Sequence, residues 1–170
     1  LCGHGPSLET DIAMTNISLD LFGQVRSYFQ YAAKLQGGEA TEDTIAFLRK
    51  EREYKNVLLV EQPNRDFAYS ITRQFLFDVY HLLLLSELQN SKDETLAAIA
   101  IKSIKEVSYH TRFSSDWIKR LGDGTEESHN RIQTAINDLW EFTDELFHVT
   151  DADKATIAEG TCVDVTLLKE

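Results

Sequence analysis

Phe75-Leu76-Phe77-Asp78-Val79-Tyr80-His81-Leu82-Leu83-Leu84-Leu85 is the stretch on which the fold turns. Apolar side chains fall on every side of a helix drawn through it, so this helix belongs in the middle of a helical core. The run Leu82–Leu85 is far too short to cross a bilayer, which needs about 20 residues. Working outward, Asn64 or Asp66 caps this helix and Asn90 closes it. Before it, Pro63 ends whatever precedes, because the residue ahead of a proline is pushed out of helical geometry. After it, Ser91 and Glu94 have capping-box spacing and open a further helix that stops at Gly122 in a left-handed turn.

The outer elements repeat the pattern. A first helix runs from Ser7 to about Gln36, with Met14, Ile17, Leu21, Val25, Tyr28, Ala32 and Leu35 as its stripe. Thr41 caps a second that continues to Glu61. Thr125 caps a fifth with the stripe Ile132, Ile136, Leu139, Thr143 and Leu146, and a shorter helix follows from Asp151. Strand signals are missing, since only Cys162 to Val165 alternates. Five long amphipathic helices with short connections predict an all-α antiparallel bundle, one domain over 1–170. The chain begins at Leu1 and stops in what reads as a helix start, which suggests a piece of a longer protein.

Charge narrows the function. Against 17 Lys and Arg stand 28 Asp and Glu, a formal net charge of -11. Such a surface repels phosphate backbones, and no local cluster of Lys or Arg stands out to offset it, so nucleic acid is excluded as a partner. A membrane partner is excluded by the lack of a spanning segment. Cys2 and Cys162 lack metal-ligand spacing and suit a reduced, cytoplasmic setting.

Two acid–histidine pairs carry the chemistry. Asp78 and His81 are three apart within the apolar run, so at least one is buried. Glu106 and His110 are four apart on one face of the next helix. Carboxylate-bridged di-iron bundles use Glu-x-x-His on two helices and a lone Glu on two others. With Asp20 on the first helix and Glu51 on the second, the six residues would form one polar cluster in a four-helix core. Blander readings stand beside this. Asp20 at a stripe edge can reach water, Glu51 to Glu53 can be a solvated charged face, and the inward residues can satisfy one another by hydrogen bonds. The ligand set is also damaged. Val107 stands three residues before His110 where a carboxylate is needed, and Tyr54 stands where Glu51 would need a histidine. That leaves too few ligands to hold two cations. Asp116, Trp117 and Trp140 fall in helical stripes and read as core.

Cys2-Gly3-His4, DIAMTNISLDLFGQ (11–24), LLVEQPN (58–64), IKEVSYHTRFS (104–114) and the segment from Trp117 through Arg120-Leu121-Gly122-Asp123-Gly124-Thr125 closely resemble a phenylacetic acid degradation protein family. Its members are C subunits of the bacterial phenylacetyl-CoA monooxygenase, also called ring-1,2-phenylacetyl-CoA epoxidase. The resemblance runs to about Phe147. It implies a ferritin-like fold and a homologous partner that carries the di-iron centre, with no cofactor in this chain. The resemblance implies that this chain is a non-catalytic scaffold in a hetero-oligomer, and allows a homodimer. No catalytic or metal residue is carried over; Asp20, Glu51, Asp78, His81, Glu106 and His110 remain a remnant polar cluster. The alternative is a catalytically active di-iron oxygenase or ferroxidase with an atypical ligand set.

Overall fold

The computed structural model describes residues 3–169, so Cys2 lies outside the described residues. No strand occurs among them, and the fold class is all-α as the stripes predict. The chain divides into two compact units, Leu1–Asn56 and Val57–Glu170.

In the first unit α1 spans Leu8–Gln36, opened by Ser7, whose hydroxyl accepts the Thr10 N–H at 3.3 Å. The Asp11 carboxylate accepts the backbone N–H groups of His4 and Gly5 at 2.9 and 3.0 Å, and the bond from Gly5 does most to lower its pKa. The helix stops at Gly37, whose φ of 70° favours glycine. Met14 and Ile17 are buried, while Val25 and Leu35 at the far end of the predicted stripe are exposed.

The predicted second helix does not exist as one element. It breaks into α2, Glu42–Phe47, a 3₁₀ turn at Glu51–Glu53, and α3, Leu58–Glu61, which belongs to the second unit. Between Phe47 and Val57 the only apolar side chains are Leu48 and Tyr54, so a helix there has no face to bury. Side chains take over the backbone bonding instead. Thr41 and Thr44 cap α2 reciprocally, the Lys50 N–H donates to the Glu53 carboxylate, and the Tyr54 hydroxyl donates to the Ala46 carbonyl.

The second unit holds α3, then α4 at Phe67–Leu88, α5 at Glu94–Gly122, α6 at Glu126–Trp140 and α7 at Asp151–Glu159. Asp66 caps α4 by accepting the Tyr69 N–H at 2.9 Å, and the Arg73 guanidinium donates to the Gln62 carbonyl and to Asn64, fixing the turn around Pro63. Near its start α4 packs Ala68 and Ile71 against Phe113, Trp117 and Leu121 of α5; near its end Leu85 and Leu88 meet Ala100 and Val107. Rising numbers on one helix meet falling numbers on the other, so the pair is antiparallel. Helix α6 returns alongside, with Ile132 against the start of α4, and Ala135 and Leu139 in a cluster with Tyr69 and Leu146.

Four further expectations are corrected. Ser91 is not the cap of α5: its hydroxyl donates to the Thr161 carbonyl at 2.8 Å, and Asp93 caps the helix by accepting the Thr95 and Leu96 N–H groups. Gly122 is not left-handed but closes the helix in place, with Asp123 as cap. Helix α6 ends at Trp140, so Thr143 and Leu146 lie in and beside a 3₁₀ turn at Asp144–Phe147, although Leu146 still reaches the core. Trp140 is 63% exposed and is not core. A left-handed glycine does close a helix at Gly160 (φ 76°), at the end of α7, and its carbonyl accepts the Lys92 N–H at 2.9 Å beside the entry to α5.

Candidate functional site

The polar residues of α4 and α5 meet inside the second unit. Asp78 is completely buried, as is His110, and His81 is half-buried one turn along α4. Asp78 is held by two donors: Gln74 Nε2 at 2.5 Å from its own helix, and Ser114 Oγ at 2.8 Å across the α4–α5 interface. Each donor favours the ionised carboxylate. Burial outweighs them, and the pKa of Asp78 is pushed up to about 7. His81 moves the opposite way, to about 4, because burial disfavours its cation and a charge on His110 would repel it. Its buried Nδ1 meets no protein hydrogen-bond partner among the described residues, and its ring lies against Phe77 with centroids 5.5 Å apart. Glu106 is half-buried on α5.

The other two predicted residues belong to the first unit. Asp20 is half-buried on α1 and Glu51 is exposed in the 3₁₀ turn, both in the first unit. Glu51 therefore belongs to no buried cluster, because the helix that would have aimed it inward is not formed.

A di-iron centre does not fit these side chains. Val107, where a ligand carboxylate is required, is fully buried in an apolar cluster with Leu85 and Ala100. The Asp78 carboxylate already answers to Gln74 and Ser114, and Tyr54 is bonded to its own unit's backbone. Among the described residues no three His, Cys, Asp or Glu side chains are grouped so as to hold a metal ion. What the arrangement can do chemically is hold one proton on a buried carboxyl near neutrality beside neutral imidazole.

One feature escapes a linear reading. Lys102, Lys105, Arg112, Lys119 and Arg120 all lie exposed on the side of α5 opposite buried Ser103, Val107, His110 and Ser114. The expectation that no local cluster of cations exists is therefore wrong. Spread over about twenty residues the charges look dilute, but steps of three and seven bring Lys102, Lys105, Arg112 and Lys119 to one helix face, with Arg120 beside them. That periodicity is the signal by which the sequence could have revealed them.

An all-α, ferritin-like protein with an acid–histidine pair buried in its core is the class that fold and site define. The chain belongs to the phenylacetic acid catabolic protein family, which it matches over residues 1–170. It is similar to the C subunit of 1,2-phenylacetyl-CoA epoxidase from Escherichia coli (strain K12), at 52% identity over 168 residues, covering 99% of this chain and 67% of the relative. This is the family to which the strings at 11–24, 58–64 and 104–114 point. No helix among the described residues is long and apolar enough to cross a membrane.

Proposed function

We propose that this chain is the C subunit of a 1,2-phenylacetyl-CoA epoxidase and serves as its non-catalytic, cytoplasmic structural subunit. In this reading a homologous partner holds the di-iron centre and binds the CoA thioester, and this chain supports it in a hetero-oligomer. The observation that carries the reading is the pairing of 52% identity to a C subunit with Val107 buried where a ligand carboxylate would be needed. A hydrophobic side chain there costs a di-iron site more than one ligand, because it also removes the charge that balances the cations.

The test is metal analysis of the co-expressed complex, with each component separated and measured in turn. The expected result is well under one iron per copy of this chain, with iron and phenylacetyl-CoA oxidation following the partner. Near-stoichiometric iron in this chain, lost on Asp78→Asn or His110→Ala while folding persists, would overturn it in favour of an active di-iron oxygenase.

A further inference from the structure

We propose that the outward face of α5 is a docking surface for a partner protein that presents acidic side chains. The charge distribution points to it. Of the chain's 17 Lys and Arg and 28 Asp and Glu, residues 101–120 hold five and two, leaving 12 and 26 for the other 150. One helix segment is thus net positive on a chain that is otherwise strongly negative. From Lys102 to Lys119 the row extends about 25 Å along the helix axis.

An exposed helix face is ordinarily charged, so the sign and the pairing decide the matter. Elsewhere in the second unit four of the six cations find carboxylates: Arg65 with Asp138, Arg131 with Asp66 and Glu127, Lys154 with Asp151, Lys169 with Asp144. The five cations of the α5 face form no such pair among the described residues. Asp116 lies four residues from both Arg112 and Arg120, spacing that suits a helical ion pair, and neither pair is made. Arg112 instead lies over the ring of Tyr109, 5.8 Å from its centroid. Tyr109 is 41% exposed and Ile101 55%, so the cationic row has an aromatic and an aliphatic contact within it. Tyr and Arg together are the residue types that anchor protein interfaces. A single helix face is small for a permanent interface, so the contact is of the transient, electrostatically steered kind, with strong salt dependence.

The choice of complex in the test rests on the proposed place of this chain in an epoxidase. The co-expressed full-length complex is treated with a carbodiimide, which joins a lysine amine directly to a touching carboxylate. Lys102, Lys105 or Lys119 should be found linked to Asp or Glu of another protein, with the links lost between about 0.02 and about 0.5 M salt as the Debye length shrinks. The variant K102E/K105E/R112E should bind that protein about tenfold more weakly at low salt. E126K/E127K, a charge reversal of opposite sign on α6, should not weaken binding. Circular dichroism confirms that each variant is folded; if the triple variant is not, R112E and the cross-links of the unmodified complex decide.

Links confined to this chain or to a second copy, retention of nucleic acid in place of a protein, or unchanged binding by a folded variant would each overturn the proposal. If epoxidase components co-purify while the α5 lysines stay unlinked, the docking surface fails and the epoxidase reading stands. If the lysines link to a protein outside the epoxidase, the reverse holds.

Discussion

Asp78 and His81 show how burial acts on single residues of opposite charge type. Asp78 has its pKa raised from 3.8 to about 7, so its folded form holds a proton that the unfolded chain gives up; this contribution to stability is present below pH 3.8 and fades as pH rises to about 7. His81 is lowered from 6.5 to about 4, so the unfolded chain binds the proton that the folded form refuses; its contribution is present above pH 6.5 and is lost as pH falls to about 4. Between about pH 4 and 6.5 the two slopes are opposite and cancel. Asp78→Asn removes one of them. Relative to the unmodified chain, its unfolding free energy should therefore rise with pH across that interval, by at most about 1.4 kcal/mol per pH unit. His81→Gln should show the reverse slope. Urea unfolding at several pH values reads both, and parallel profiles for all three proteins would show that the pair is not coupled to folding. That at least one of these two residues is buried is legible in the sequence, because apolar side chains surround this helix and give it a central place in the core. Ser114 as the partner of Asp78 is not, since it comes from another helix thirty-six positions away.

Elements divide into those whose ends and faces are written locally and those whose are not. Helices α1 and α4 begin where Ser7 and Asp66 place a side-chain acceptor, and their spans follow the apolar spacing. The start of α5 defeats a local reading: Ser91 and Glu94 have the right spacing for a box, while Gly160 and Thr161, distant in sequence, claim the turn at Ser91 and Lys92. Asp93→Ala should accordingly cost about 1 kcal/mol in denaturant unfolding through loss of the cap, whereas a cost confined to Ser91→Ala would make Ser91 the cap after all. The interior of α5 gives a second test. Val107→Glu puts an unpaired carboxylate in a site with no solvent access, so stability should fall by about 3–5 kcal/mol. Iron bound to the folded variant should stay below one per chain, because Glu51 and Tyr54 supply no matching ligands on a second helix. The lost second helix has the plainest cause: its middle has charge without an apolar stripe, and most helical stability comes from packing such a face rather than from local propensity.

At the scale of the whole molecule, two compact units are joined through a polar stretch, and Arg49, Lys50, Arg52 and Lys55 in it are exposed. Limited trypsin digestion should cut there first, after Lys50, Arg52 or Lys55, and leave a fragment that begins near Val57 and resists further cleavage. Early cutting within α4 or α6, read by mass spectrometry, would show instead that the second unit is not the stable one. The net charge of -11 describes the molecule correctly as a sum and misdescribes its surface, because the signs are sorted by helix face.

The sequence by itself determined the helical class, the central place of 75–85, the family, and the presence of Val107 three residues before His110. Those depend on side-chain type and on spacing within one helix, which the chain carries locally. Only the tertiary structure decided that Glu51 is outside the core, that Ser114 and Gln74 hold Asp78, that Asp93 rather than Ser91 caps α5, and that five cations share one open face. Each of those depends on which helix lies beside which, and that is settled by burial across contacts between distant parts of the chain.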